Sequence, residues 1–143
     1  VVADRLLLML PPLAIMAWLA GWISGSGYGP LMQAAWWVPR TMDDSFQLLP
    51  RFPLQWMAAT SLFLVYFILE PRFPKNKPGS QAALLWLSFT IHTLLFSCLR
   101  ADHRPESLGL YWDIWFGFVC FLWSMVLIRL VFIRKPVKII VPE

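Results

Sequence analysis

His92 is the residue of this sequence with the clearest capacity for chemistry. It lies about two turns inside an apolar stretch long enough to cross a membrane, where an ionisable side chain is costly and often functional. Ser88 precedes it by one helical turn on the same face. The pair predicts a weakly polar seam facing the interior of a helical bundle. The interpretation we favour for His92 is a neutral histidine hydrogen-bonded between two helices.

An aromatic stripe on the last apolar stretch is the one surface that could complete a small-molecule pocket with His92. Trp112, Phe116 and Trp123 share a face at helical spacing. Together with Ser88 and His92 they predict a ligand site between the third and fourth apolar stretches, suited to a lipophile such as a sterol, isoprenoid or quinone. Aromatic residues at this spacing also serve as packing or lipid contacts.

Other chemistry is not indicated by the residue types or their spacing. No second histidine or cysteine stands three or four residues from either histidine, so no metal site is expected. The acids beside the apolar stretches, Glu70 and Asp113, lie near their ends and cannot form a proton relay with His92. The sequence also lacks a nucleophile elbow, a phosphate loop and a zinc signature. We therefore expect no catalytic residues and no cofactor, and we expect bound lipids.

The composition indicates an integral membrane protein. Hydrophobic residues make up 59% of the 143 residues and charged residues 14%, which is too apolar for the surface of a soluble domain of this size. The apolar residues form stretches of helix length, and the alternation of a β-barrel is absent. The basic residues stand beside these stretches and form no continuous stripe, so a nucleic-acid partner is not expected.

Four apolar stretches predict an all-α integral membrane protein, a single domain over residues 1–143. The spans are expected at about residues 6–23, 54–69, 81–99 and 110–134. Residues 24–53 form a long interfacial loop that we expect to be partly helical, with a short helix from Pro30 to Val38. Trp36 and Trp37 are expected to anchor this loop in the headgroup layer. Ser80 is expected to cap the third helix.

The first span has two features of its own. Pro11 and Pro12 predict a kink, or a helix that begins there. Beyond them, Ala17, Gly21 and Gly25 recur at four-residue spacing, and such a small-residue face lets another helix approach closely. Chance in a segment rich in alanine and glycine explains the spacing equally well.

The charged residues predict one ion pair and an orientation. Asp113 is expected to pair with Arg100 or Arg104. The mixed-charge turn is expected to be solvated surface; its charged and titratable residues are Asp102, His103, Arg104 and Glu106. Eight of the twelve basic residues fall on the side of the two termini, so the termini should face the cytoplasm or a mitochondrial matrix. A bacterial or organellar inner membrane is the expected location. The eight are Arg5, Arg72, Lys75, Lys77, Arg129, Arg134, Lys135 and Lys138.

The last third of the chain resembles a known family. The run ADHRPESLGLYWDIWFGF, the tryptophan-rich final helix, and the four-span layout with a long first loop resemble the EXPERA family of sterol isomerases and sigma-2-type receptors. The activity of that family uses buried acids on earlier helices. Here the first span contains no acid and the second has only Glu70 at its end, so the resemblance does not extend to isomerase activity.

Two functions remain open from the sequence. The first is a non-catalytic accessory or structural subunit of a larger membrane complex, with other membrane subunits as partners, in an energy-transducing (respiratory or photosynthetic) membrane that carries electron transport. The features that favour it are the small size, the kinked small-residue helix and the Trp-rich loop. The alternative is a lipid-binding protein or isomerase-like enzyme whose pocket contains His92.

Overall fold

The chain is mostly helical, and the computed structural model describes residues 2–75 and 77–133. Four of its helical segments are long and apolar enough to cross a membrane, and we refer to them as spans 1 to 4: Val2–Ser24, Leu54–Arg72, Ser80–Leu99 and Trp112–Phe132. The α-helices and strands in chain order are α1 (Val2–Leu7), α2 (Leu10–Ser24), β1 (Arg40–Met42), β2 (Leu48–Pro50), α3 (Leu54–Leu64), α4 (Ser80–Leu99), β3 (Glu106–Ser107), β4 (Leu110–Tyr111) and α5 (Trp112–Ile128). Short π-helical and 3-10 segments, Val65–Leu69 and Glu70–Arg72, continue α3, and a π-helical segment, Arg129–Ile133, continues α5. The all-α class and the four apolar helices agree with the sequence prediction. The predicted end of the last span at Arg134 lies outside the described residues.

Span 1 is interrupted, as its prolines predict. The helix α1 ends at Leu7, and α2 begins at Leu10 with Pro11 and Pro12 in its first turn. N–H groups in the first turn have no partner within the helix, so prolines there cost no hydrogen bond. At the other end of α2, Gly25 adopts a left-handed conformation with φ 72°, which terminates the helix. Gly25 therefore acts as a helix cap, and it does not continue the small-residue face of α2.

The long loop is not helical, and this part of the prediction is wrong. Strands β1 and β2 form an antiparallel hairpin instead, with Thr41 opposite Leu49, and Leu31 forms a bridge with Arg51. The stretch predicted as a helix from Pro30 to Val38 is extended apart from one turn. An isolated helix of nine residues is unstable by itself, and pairing with the distant segment around Arg51 satisfies its backbone groups better.

A buried polar network holds this loop in place. The Arg51 guanidinium lies 4.1 Å above the Tyr28 ring and 3.1 Å from Asp43 Oδ2. The Tyr28 hydroxyl donates a hydrogen bond of 2.9 Å to Asp44 Oδ2, which also accepts the His103 backbone N–H at 3.1 Å. Burial and the hydrogen bond to Asp44 raise the pKa of Tyr28 above its usual value. The loops after span 1 and span 3 are thus joined on one side of the molecule.

The start of α4 is capped by a residue from span 1. Asp4 accepts hydrogen bonds from the backbone N–H groups of Gly79 and Ala82, both at 3.0 Å. The Ser80 hydroxyl donates instead to the Lys77 carbonyl at 2.7 Å, so the prediction that Ser80 caps this helix is wrong. A carboxylate suits the position because it satisfies free N–H groups at the positive end of the helix dipole.

The spans pack as two hairpins. Helix α2 packs along α3, and α4 packs along α5, whereas contact between α3 and α4 is much less extensive. A small apolar core of Leu54, Ala58 and Phe96 joins the two hairpins, with Trp18 packed against it. Little of spans 1 and 4 is buried within the described chain, so their outer faces are left to the surroundings.

Candidate functional site

His92 is buried between helices, on the side of α4 that faces α3. Its Nε2 lies 3.0 Å from the Ala58 carbonyl oxygen, so a neutral imidazole donates its Nε2–H across the helix pair. The ring stacks on Phe96 with 4.5 Å between centroids and meets the edge of Trp18 at 6.3 Å. This is the interhelical hydrogen bond that the sequence favoured. His92 Nδ1 is buried and has no hydrogen-bond partner in the described chain.

The other residues proposed with His92 lie elsewhere. The Ser88 hydroxyl donates to the Leu84 carbonyl at 2.9 Å within its own helix. Trp112, Phe116 and Trp123 lie on the outer face of α5, with 65%, 65% and 56% of their surface exposed. The structure therefore does not bring the aromatic stripe together with His92, and the five residues predicted to form a pocket between spans 3 and 4 do not form one.

The close packing of α4 and α5 explains this. A Cβ placed on Gly117 would lie only 2.9 Å from the Leu94 side chain, so the two helices meet without space between them. Further along the pair, Thr90 Oγ1 and Ser124 Oγ are 3.2 Å apart, and Ser124 is completely buried. A ligand between these helices would have to separate them.

An open groove lies instead between α2 and α4. Span 1 and the loop that follows it are tied to the two ends of span 3. Asp4 of span 1 caps the start of α4, and Asp102, just beyond the end of α4, accepts the N–H of Gly27 in the loop at 3.3 Å. Between these two ties, the helices stand apart and leave a space of about 480 Å³. We refer to this space as the lateral groove. Its volume falls within the range of about 300–1,000 Å³ that is usual for small-molecule sites.

The inner part of the lateral groove is apolar. Phe89 and Thr93 of α4 form its floor, and Leu13, which is 64% exposed, shows that it is open along one side. From Phe89 to Arg100 the floor runs for about 16 Å at the usual helical rise. The wall from α2 consists of Leu10, Leu13, Ala14, Ala17, Trp18 and Gly21.

The α2 wall of the lateral groove leaves space for a ligand because several of its residues are small. Ala17 and Gly21, predicted as part of a helix-packing face, line the lateral groove. Within the described chain their face is not covered by another helix, so its use for packing against a different chain stays a prediction. The helix that does pack along α2 is α3, for example through Trp22 against Trp56, whose ring centroids are 5.9 Å apart.

The loop end of the lateral groove is polar and charged. Ser26, Ser97, Arg100 and Asp113 line it there. Arg100 Nε donates to Asp102 Oδ1 at 3.0 Å, and Arg104 Nη1 forms a short ion pair with Asp113 Oδ2. These four charged residues, Arg100, Asp102, Arg104 and Asp113, form one cluster, which we name the ion-pair cluster. The predicted pairing of Asp113 with these arginines is confirmed.

Two residues of the ion-pair cluster, Asp102 and Arg104, are buried, contrary to the expectation of a solvated turn. His103 and Glu106 of the same turn are exposed, as expected. Only 7% of the Asp102 and Arg104 side chains is exposed. Arg104 donates to the carbonyls of Ser97 at 3.2 Å and Arg100 at 3.1 Å, and its guanidinium covers the Tyr111 ring at 4.1 Å. Buried charges need such partners, and here the end of α4 supplies the carbonyl oxygens that a helix leaves unpaired.

The charges of the cluster perturb each other. Burial raises the pKa of Asp102, but the hydrogen bond and charge of Arg100, with the charge of Arg104, outweigh burial and hold that pKa below its ordinary value. The hydrogen bond to Asp102 in turn raises the pKa of Arg100. Asp102 and Arg100 are therefore both charged at neutral pH. Together with Arg104 and Asp113 they make a cluster of two arginines and two aspartates, whose formal charges sum to zero.

A second, shallower surface lies on the outer face of α5. A space of about 490 Å³ is bordered by Ser107, Leu108, Trp112, Trp115, Phe116 and Val119, and we name it the aromatic shelf. Leu108 is 89% exposed and has a positive φ of 54° at the tip of the β3–β4 hairpin. Trp115 Nε1 donates to the Ser107 carbonyl at 3.2 Å and so fixes the hairpin to the helix.

The predicted interfacial anchors lie in the exposed loop. Trp36 is 97% exposed and Trp37 47% exposed, near the one turn of residues 31–38. Their insertion in a headgroup layer stays a prediction. Among residues 2–75 and 77–133, no group of three or more histidine, cysteine or acidic side chains is arranged to hold a metal ion.

Sequence reasoning missed most of the lateral groove. Thr93 and Ser97 form a polar pair at i, i+4 on one face of the third span, and this was the available signal. Their neighbours Trp18 and Phe89 belong to patterns that are typical of any apolar helix. Arg100 was recognised only as an ion-pair partner.

Comparisons with known proteins add no assignment. No protein-family model matches the chain, and no curated protein or solved structure is significantly similar to it.

Proposed function

We propose that this chain is a multi-pass membrane protein that binds a small amphipathic lipophile, such as a sterol, isoprenoid or quinone, in the lateral groove, without catalysing a reaction. The observation that carries the proposal is the order of the lining along the groove. Leu10, Leu13 and Phe89 lie toward the middle of the spans, and Ser97, Arg100 and Asp113 lie at their loop end. An amphiphile aligned with bilayer lipids presents its tail and head in the same order.

The openness of the groove supports entry from the bilayer. Helices α2 and α5 border it but belong to different hairpins, and contact between them is slight. A lipophile dissolved in the hydrocarbon layer could therefore reach Thr93 sideways, without passing through water. The residues along the mouth are apolar. Covering them with a lipid tail is favourable by about 25 cal/mol for each Å² of apolar surface that is removed from water.

Filling the groove tests the proposal. Ala17 lines the groove, whereas Ala20 is an exposed residue of the same helix outside it. The substitution Ala17→Phe adds an aromatic ring inside the groove. We expect the affinity for the lipophile to fall at least about tenfold, because the ring fills space that the bound tail would otherwise occupy. Ala20→Phe adds the same ring toward the surroundings and should leave binding unchanged. Binding is measured by displacement of a photoactivatable oleyl alcohol from protein in liposomes.

The proposal fails if both variants bind as the wild type does. An equal loss of binding in both variants would indicate general damage to α2, and it would also contradict binding in the groove. Circular dichroism and size-exclusion chromatography of each variant establish that the helices and the particle size are retained.

A second function, an accessory subunit of a larger membrane complex, is favoured by a different observation. The outer faces of spans 1 and 4 are largely uncovered in the described chain, and the aromatic shelf holds Trp112 and Phe116 at 65% exposure each. Large aromatic residues are common at the centre of protein interfaces. Native gel electrophoresis of membranes in a mild detergent, with mass spectrometry of the co-migrating proteins, separates the two functions. Migration with a large assembly supports the subunit, and migration as a small particle opposes it.

For the orientation, we propose that both termini face the cytoplasm or the matrix. The basic residues Arg72, Lys75 and Lys77 follow span 2 on the side of the termini, and short loops rich in Lys and Arg are retained on the inner side. A reporter fused after Glu143 should be active inside, and activity on the outside would reverse the topology.

A further inference from the structure

The lateral groove ends against the ion-pair cluster, and the chemistry of that end determines which head group it accepts. Resting on the lipophile-binding function proposed above, we infer that the groove selects a neutral lipid whose head is a single hydroxyl group, over lipids with charged heads. The donors and acceptors left free by the cluster, and its charge balance, carry the inference.

Arg100 has one free side of its guanidinium. Its Nε and Nη2 both donate to the Asp102 carboxylate, whereas Nη1 lies 3.9 Å from Asp113 Oδ2, beyond hydrogen-bond length. No hydrogen bond from Nη1 is formed within the described chain. The Arg100 side chain is 25% exposed and lines the groove. The groove therefore offers a hydrogen-bond donor at its loop end.

Asp113 provides the acceptor beside it. Its side chain is 28% exposed and lines the groove, and its Oδ2 already accepts from Arg104. A carboxylate oxygen can accept more than one hydrogen bond. An oxygen atom placed about 2.8 Å from both Arg100 Nη1 and Asp113 Oδ2 fits a separation of 3.9 Å between them. A hydroxyl group is the head that accepts from the first and donates to the second.

The charge balance disfavours the alternatives. Two arginines face two aspartates, so the cluster has no net charge to offer a charged ligand. An anionic head at Arg100 would lie against the Asp113 carboxylate, and a cationic head at Asp113 would lie against Arg100. Either head would be removed from water without a free counter-charge, which is unfavourable. A neutral hydroxyl avoids that cost.

Three lipids with the same chain test the inference. Oleyl alcohol, oleyl sulfate and oleyltrimethylammonium share one chain and carry a neutral, an anionic and a cationic head, respectively. Each competes with the photoactivatable oleyl alcohol for wild-type protein in liposomes. We expect oleyl alcohol to compete at a concentration at least about tenfold lower than either charged lipid, because an uncompensated buried charge costs more than 1.4 kcal/mol.

Variants identify the group responsible. Asp113→Asn gives the cluster a net positive charge, so the preference should shift toward oleyl sulfate. Glu106→Gln makes the same chemical change at an exposed acid of the adjacent hairpin and should leave the preference as it is. If Asp113→Asn does not fold, the wild-type ranking alone decides the matter.

The outcomes separate the inference from the function on which it rests. If the three lipids compete equally and Ala17→Phe still lowers binding, the groove binds lipophiles but does not select the head, and the inference is wrong. A wild-type preference for oleyl sulfate or oleyltrimethylammonium likewise overturns it. If no lipid competes and Ala17→Phe has no effect, the proposed function itself fails.

Discussion

Asp102 is the residue whose replacement should most disturb the loop end of this protein. It contacts Arg100 through two hydrogen bonds, lies 3.6 Å from Arg104 Nε, and accepts the Gly27 N–H at 3.3 Å. The substitution Asp102→Asn keeps the size of the side chain but leaves both arginines with a single carboxylate, Asp113. It also weakens the tie between span 1 and the end of span 3.

The expected loss follows from the burial of the cluster. Removing one partner of a buried ion pair costs about 3–5 kcal/mol, because the remaining charge stays buried without compensation. The Asp102 side chain is 7% exposed, but Arg100 is 25% exposed and can turn toward water, so the lower end of the range, about 3 kcal/mol, applies. This corresponds to a change of about 100-fold in the unfolding equilibrium.

The pH dependence gives an independent check. The pKa of Asp102 in the folded protein lies below its ordinary value of 3.8, so its stabilisation is present above pH 3.8 and is lost as the pH falls through the folded pKa. Asp102→Asn lacks this stabilisation at every pH. The difference in stability between the wild type and the variant should therefore be full at pH 7 and should narrow in strong acid.

Reversible unfolding in mixed detergent micelles measures these free energies. Glu106→Gln, at an exposed acid of the same loop, is the matched control and should change the free energy of unfolding by less than about 0.5 kcal/mol. An Asp102→Asn protein as stable as that control at pH 7 would mean that Asp102 does not stabilise the loop end through its ion pairs. A difference that does not narrow in acid would show that the loss has another cause.

Two further substitutions test the ties that shape the fold. Asp4→Ala removes the cap of α4 and should lower the free energy of unfolding by about 1–2 kcal/mol in the same assay. Arg5→Ala, at the exposed neighbouring position, should be nearly neutral. Equal effects of the two substitutions would mean that Asp4 does not stabilise α4 as a cap. Gly29→Ala would place a Cβ 2.7 Å from the Phe52 carbonyl oxygen and should cost about 3 kcal/mol or more, because backbone must move. Gly109→Ala meets no atom within 4 Å but has a φ of 75°, so it should cost only about 1 kcal/mol, and a reversed order would contradict the packing around Gly29.

The spans could be predicted from the sequence because hydrophobicity and proline act locally. The four apolar stretches and the break before Pro11 were evident without knowledge of any neighbour. The pairing of Asp113 with Arg104 followed from their closeness along the chain. These features depend on residues within about ten positions of each other.

The features that could not be predicted depend on distant contacts. The loop hairpin forms because residues near Leu31 pair with residues near Arg51, and Asp4 caps a helix 75 residues away. Asp102 is buried because the loop after span 1 covers it. The composition of the turn around Asp102 does not indicate this burial. The lateral groove arises from the distance between α2 and α4, which is set by ties at both of their ends.

Locating a bound lipophile on the chain tests whether the lateral groove is its binding site. Wild-type protein in liposomes is labelled with the photoactivatable oleyl alcohol, and the modified residues are identified by mass spectrometry with an excess of unlabelled lipid as competitor. We predict saturable labelling within residues 10–27 and 89–100, the two segments that form most of the lateral groove. Saturable labelling confined to the aromatic shelf around Trp112, or labelling that competitor does not reduce, would contradict the account.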